Sequence, residues 1–343
     1  MDSNKYRYCF IDSSYLIRRN GWACSRGKQP GEYNSNDIVR MSIQTINKIA
    51  RDYGITADKY LLVFDSWSRE YQGYYKNTII GTYKTDRKFE TVEELKRMEQ
   101  DPNVSKEELE KYANKLYENV QRNEAKKTMK TLGKIGIPAI WTESFEFDDL
   151  AYMFGVFMSN EDKPSVIVTK DSDLMYCTTQ MLDYFSLPTG GSKPVTITYQ
   201  DMWSTVPEDL KQLLVDNSKN DFGSPLYFYG ALINSLGESH NNLSVTKKPT
   251  VGRNEAIKRM LSNNDFSVLI DKDLFFKQLD TFKVFNFPKA IDAYQTICGI
   301  KTIGHYASLD DFHNFCNSIG LSGISDSYYQ GFLSRLDQKL FSE

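Results

Sequence analysis

Ser165-Val166-Ile167-Val168-Thr169-Lys170 runs directly into Asp171, and Asp173 follows two residues later. A short apolar run rich in β-branched residues reads as a strand buried in a parallel sheet. Two earlier stretches repeat the pattern. Tyr8-Cys9-Phe10-Ile11 leads to Asp12, and Tyr60-Leu61-Leu62-Val63-Phe64 leads to Asp65. Helix-prone segments precede the later strands, from Asn36 to Tyr53 and from Phe147 to Met158. This alternation predicts an α/β domain with a central, mainly parallel sheet. In open sheets of that kind ligands lie outside the carboxyl ends of the strands, where all three acids fall.

Weaker strands are expected at Pro138 to Thr142, Met181 to Ser186 and Val195 to Tyr199, the last two flanking a turn at Pro188-Thr189-Gly190-Gly191. From Val206 onward the pattern is mainly helical. A soft boundary near Met202 to Pro207 divides the chain into residues 1–205 and 206–343.

The whole chain restricts what it can be. Its 343 residues suffice for one large domain and a smaller helical one. The net charge of −3 means that any nucleic-acid surface has to be a local basic patch beside an acidic centre. Cys9, Cys24, Cys177, Cys298 and Cys316 are scattered, without a Cys-x-x-Cys pair. They predict reduced thiols in a cytoplasmic protein, with neither a disulfide framework nor a zinc site. The polar start and the lack of any long apolar run predict no signal peptide and no membrane partner.

Residues 66–133 do not fit the sheet pattern. The stretch is charged and helix-prone, and Asp101-Pro102-Asn103 breaks it into two helical pieces. Its acidic middle reads as a solvated helical pair. Its ends carry an excess of base: Tyr83-Lys84-Thr85-Asp86-Arg87-Lys88 at one, and Lys126, Lys127, Lys130 and Lys134 at the other. Spacings of three and four place these last lysines on one helical side, with little acid expected nearby.

The acids carry the chemistry: Asp12, Asp65, Glu146-Phe147-Asp148-Asp149 and Asp171-Ser172-Asp173. Any one of them alone is more often a helix cap, a turn or an N-terminal charge preference. Together, in this order, they suit hard ions such as Mg²⁺ or Mn²⁺, which take oxygen ligands. Two such ions can activate a water and stabilise the leaving oxygen of a phosphodiester. Glu146 and Asp149 share a helix face, while Phe147, Leu150, Phe154 and Phe157 form an apolar stripe that would pin that helix to the sheet.

In this order the motifs Phe-Ile-Asp12, Val-Phe-Asp65, Tyr83-Lys84-x-x-Arg87, Glu146-x-Asp148-Asp149 and Thr169-Lys170-Asp171-Ser172-Asp173 resemble the flap endonuclease and 5′-to-3′ exonuclease superfamily. Within it the closest likeness is to the RNase H branch of T-even bacteriophages. The resemblance spans roughly residues 7 to 260. It implies a PIN-like 5′ nuclease domain with a helical arch inserted at about residues 66–133. It further implies a first metal held by Asp12, Asp65, Asp148 and Asp171 near Glu146, and a second served by Asp149 and Asp173. Lys84 and Arg87 would contact the scissile phosphate from the base of the arch, with Tyr83, Lys88, Lys126, Lys127 and Lys130 along the nucleic acid.

The resemblance also implies a helix–three-turn–helix module at about residues 224–262. That module usually opens on Gly-Asp-x-x-Asp-Asn; here the stretch is Gly237-Glu238-Ser239-His240-Asn241-Asn242, after a helical run from Leu226 to Ser235. Glu238 is lengthened and Asn241 brings no charge, which weakens the second metal site. Downstream, Thr250-Val251-Gly252-Arg253 opens a second helix whose amides would meet a phosphate, with Lys247, Lys248 and Arg253 adding charge. The function implied is a divalent-metal-dependent nuclease that removes RNA primers and 5′ flaps in replication. Its substrates would be DNA and RNA–DNA hybrids with 5′ ends. A single-stranded-DNA-binding protein or a replication clamp would be the protein partner, and the chain a monomer in an infected bacterial cell if of phage origin. Two alternatives stand beside it: a catalytically weakened paralogue that binds branched DNA, and a PIN-type RNA endonuclease.

Overall fold

The computed structural model describes residues 5–64, 90–130, 139–141, 146–148, 151, 164–189, 191–218, 224–237, 251–263, 265 and 301–303. Its centre is a seven-stranded sheet built from β1 (Lys5–Asp12), β2 (Thr56–Phe64), β3 (Ala139–Trp141), β4 (Ser165–Val168), β5 (Leu182–Ser186), β6 (Val195–Ile197) and β7 (Lys301–Ile303). The spatial order is β6-β5-β4-β1-β2-β3-β7. The five middle strands run parallel, and β6 and β7 close the two edges antiparallel. Burial explains the composition of the centre. Cys9, Phe10, Ile11, Leu61, Leu62, Val63, Val166, Ile167 and Val168 are all buried, as in a sheet covered on both faces.

Two helices not separated by any strand follow β1. The first, α1 (Ser13–Ser25), was not expected from the sequence. The second, α2 (Ser35–Arg51), is closed by a reciprocal cap in which Asn34 and Asp37 accept each other's backbone N–H groups. Ile38, Val39, Ile43, Ile46, Ile49 and Ala50 recur at helical spacing, and all pack into the main core with Ile11, Leu62, Phe64, Val168 and Phe185.

The charged insert forms α3 (Val92–Gln100) and α4 (Lys106–Met129), separated at Asp101-Pro102-Asn103 as expected. The far half of α4 does not stand clear of the domain. Ala125 and Met129 are fully buried in the main core. The Tyr117 hydroxyl donates to the Tyr33 carbonyl (2.7 Å), and the Ser35 N–H donates to Gln121 Oε1 (2.8 Å). Gly21 admits this packing: a Cβ there would stand 3.0 Å from Arg122 Nε.

A second core lies among α5 (Tyr199–Thr205), α6 (Glu208–Ser218), α7 (Pro225–Gly237) and α8 (Arg253–Asn263), where Leu210, Leu214, Leu226, Leu232 and Ile257 meet. Tyr199, expected to end a strand, instead begins α5 behind a Thr198–Asp201 capping box. Helix α7 covers the helical run expected from Leu226 to Ser235, and α8 begins at Arg253 beside the expected Gly252; the connection at 238–250, which carries the rest of the expected module, lies outside the described residues. No strand was expected past residue 206, yet β7 returns to the sheet against β3. Among the described residues no helix is long and apolar enough to cross a membrane, and Cys9, Cys24 and Cys177 are buried.

Candidate active site

The chain lays β1, β2 and β3 outward in one direction, then places β4 and β5 on the other side of β1. The β1–β4 boundary is therefore the place where the winding reverses, and crevices open beyond the strand ends at such points. Parallel register sets Ile11 beside Val168, so Asp12 ends β1 where Thr169 follows β4.

A chain of hydrogen bonds links the acids across that boundary. The Thr169 hydroxyl donates to Asp12 Oδ2 (2.8 Å) and accepts from the Asp171 N–H (3.2 Å). Asp171 Oδ1 in turn accepts from the Asp173 N–H (3.1 Å), capping the 3₁₀ turn Ser172–Cys177. Asp12 Oδ1 accepts from the Tyr15 N–H (2.9 Å), which makes the same carboxylate the N-cap of α1. Neutral donors and a helix start both favour an ionised carboxylate. Asp12 is 8% exposed, whereas Asp171 and Asp173 face solvent. Nearby phenols register the negative field. Burial pushes Tyr184 up to about 12, with Asp171 and Asp12 acting in the same direction. Tyr15 is likewise raised by burial and, more weakly, by Asp12.

Glu146 and Asp148 follow β3, whose Trp141 pairs beside Phe64 at the same end of the sheet. Glu146 is 4% exposed, and Phe147 and Ala151 are buried; Leu150, Phe154 and Phe157, the rest of the expected apolar stripe, lie outside the described residues. Asp65 and Asp149 lie outside the described residues. Among the described residues no three His, Cys, Asp or Glu side chains stand close enough to enclose a metal ion. The donors linked at the β1–β4 boundary are carboxylate and hydroxyl oxygens, and that chemistry fits a hard divalent cation.

The basic residues divide similarly. Tyr83, Lys84, Arg87, Lys88, Lys134, Glu238, Asn241, Lys247 and Lys248 lie outside the described residues. Lys126 and Lys130 are half-buried at the inner end of α4. Lys127 corrects the expectation of little acid nearby, because its ammonium pairs with Glu124 at 2.7 Å within the same helix. Gly252 accepts the first backbone bond of α8 from Ala256, and Arg253 opens that helix, exposed.

One basic feature escaped the sequence reading. From Ser13 to Gly31 there is no acid, and the stretch holds Arg18, Arg19, Arg26 and Lys28. Arg18, Trp22 and Arg26 recur every fourth residue and are all exposed, the first two on the helix that Asp12 caps and Arg26 at its C-cap. Trp22 is 58% exposed, and the Arg26 guanidinium lies 5.6 Å from its ring centroid. The uninterrupted absence of acid was the available signal.

No protein-family model matches the chain, and no curated protein matches it in sequence. Its fold does have solved counterparts. The T5 D15 protein co-crystallised with metal ions superposes with a TM-score of 0.52 at 16% identity, over 91% of this chain and 98% of that one. The T5 5′-exonuclease with divalent zinc bound gives 0.52 at 15%, over the same shares. This chain thus has the fold of the phage 5′ nucleases.

Proposed function

We propose that this protein is a divalent-metal-dependent 5′-to-3′ exonuclease and flap endonuclease. The observation that carries the proposal is the hydrogen-bonded series Asp12–Thr169–Asp171–Asp173 at the point where the sheet reverses its winding. On this reading Asp12, Asp65, Asp148 and Asp171 hold one ion near Glu146, while Asp149 and Asp173, with Glu238 and Asn241 farther along the chain, serve a second. Mg²⁺ or Mn²⁺ held there would lower the pKa of water and offset charge on the phosphodiester. The rest falls to the protein. Thr169 orients Asp12, the start of α1 steadies its charge, and the buried strands hold both acids in register. Lys84 and Arg87 are the proposed contacts to the reacting phosphate.

Nucleic acid would lie along cations on both sides of the acidic edge. Residues 1–205 would cut, and residues 206–343 would grip duplex through Gly252, Arg253, Lys247 and Lys248. The α1 stripe supports a path for a single-stranded 5′ arm, since an exposed aromatic ring flanked by arginines is a stacking platform. Trp22→Ala should weaken binding of a 5′-flap oligonucleotide about five- to tenfold, near the lower end of the ~1–3 kcal/mol typical of a stacked base. Fluorescence anisotropy in EDTA measures it. Unchanged affinity would remove the stripe from the path.

Thr169→Val keeps shape but deletes the hydroxyl between Asp12 and Asp171. Mn²⁺ binding, followed by calorimetry, should weaken roughly 10–100-fold, the usual cost of losing an outer-shell partner. The deciding experiment is cleavage of a 5′-end-labelled flap with and without Mn²⁺, alongside an RNA–DNA hybrid and single-stranded RNA. Flap and hybrid products that vanish in EDTA support the primer-removing nuclease. Cleavage of single-stranded RNA alone would select a PIN-type RNA endonuclease. The uncharged Asn241 favours a second reading, a branched-DNA binder with weakened turnover. Tight flap binding without cleavage would select it, with Asn241→Asp as the rescue.

A further inference from the structure

The turn that bears Asp171 and Asp173 does not rest on the sheet alone. Leu174 and Cys177 on it are buried, and Met175 and Tyr176 pack against the second core. Tyr176 makes the closest approach. A Cβ built on Gly230, in the middle of α7, would lie 2.6 Å from both Cβ and Cγ of Tyr176. These atoms are the root of the side chain, so a methyl group at 230 cannot be accommodated by swinging the ring tip. The turn or the helix has to move.

Contacts continue from this seat to α8. The Tyr176 ring meets Tyr229 edge-on, with centroids 6.1 Å apart at 75°. The Tyr229 hydroxyl donates to Asn254 Oδ1 (2.8 Å), next to Arg253. In a 3₁₀ turn residues three apart eclipse one another, which places Tyr176 over Asp173. Electrostatics agree with a position between the two charges: apart from burial, Asp173 raises the Tyr176 phenol and Arg253 lowers it.

We propose that Tyr176 is a positioning residue, whose seat on the Gly230 backbone fixes the turn carrying Asp171 and Asp173 and ties it to α7 and α8. The catalytic consequence rests on the nuclease reading above; the mechanical one does not. If DNA engages α8, the contacts that hold it also steady the acids.

The test compares Gly230→Ala, Tyr176→Phe and Tyr176→Ala in the full chain. Hydrogen exchange should quicken at least tenfold at the amides of Asp173 and Leu174 in both alanine variants, with β1 and β4 unchanged. Mn²⁺ affinity by calorimetry and kcat on labelled flap DNA should each fall tenfold or more, while KM stays within twofold. Tyr176→Phe, which keeps the seated ring, should match the parent within threefold. Should Gly230→Ala fail to fold, Tyr176→Ala carries the decision. Wild-type exchange rates in the turn of Tyr176→Ala would overturn the proposal, as would a loss confined to KM. A parent protein that cuts nothing in Mn²⁺ would instead sink the nuclease reading and leave the exchange result to judge Tyr176.

Discussion

Asp171→Asn is expected to abolish cleavage while leaving the protein folded. The side chain is exposed and its structural duty is small: one oxygen accepts the Asp173 N–H and caps a single 3₁₀ turn. Asparagine caps about as well as aspartate, so thermal unfolding should shift by no more than about 2 °C. What disappears is a negative charge at the carboxyl end of β4. Metal-assisted charge stabilisation contributes several kcal/mol to such reactions. At 1.36 kcal/mol per tenfold, losing it slows turnover on the order of a thousandfold. Single-turnover cleavage of a labelled flap measures this, and DNA affinity in EDTA should hold. Full activity in the variant would remove Asp171 from the site and, with it, most of the case for a nuclease.

The second large effect concerns stability. Phe10 lies at the middle of β1, in register with Leu61 on one side and Ile167 on the other, and is 1% exposed. It also stacks on Tyr8, with ring centroids 5.8 Å apart. Phe10→Ala should cost about 3–5 kcal/mol, because the flanking strands cannot collapse into the space. At roughly 2–4 °C per kcal/mol, Tm should fall by about 10 °C. A loss under about 1 kcal/mol by urea titration would mean that β1 is not the centre of the sheet.

The parts of the fold legible in the sequence were those in which a run of apolar residues ended on an acid. Asp12 is the last residue of β1, Asp171 comes three residues after the end of β4, and the break at Asp101-Pro102-Asn103 falls between two helices. Helix α1 was hidden because Asp12 reads as a ligand, which obscures its second role as N-cap, and because Arg18 and Arg19 interrupt a short apolar pattern. The anchoring of α4 was hidden because only Ala125 and Met129 mark its buried side amid charged neighbours. Thr169 was quoted as part of a motif, but only parallel register shows that its hydroxyl spans two strands. The Tyr176–Gly230 contact joins residues more than fifty positions apart and leaves no periodic trace.

Strand β7 sets the schedule of folding. β3 at Ala139–Trp141 finds its outer neighbour only at Lys301–Ile303, so this edge of the sheet cannot be closed until residue 303 has left the ribosome. Contacts of such long sequence separation form slowly. Until they form, β3 carries a row of unsatisfied amides and carbonyls that another molecule could capture. Expression truncated ahead of residue 301 would make that transient hazard permanent, yielding soluble aggregates in place of a smaller folded protein.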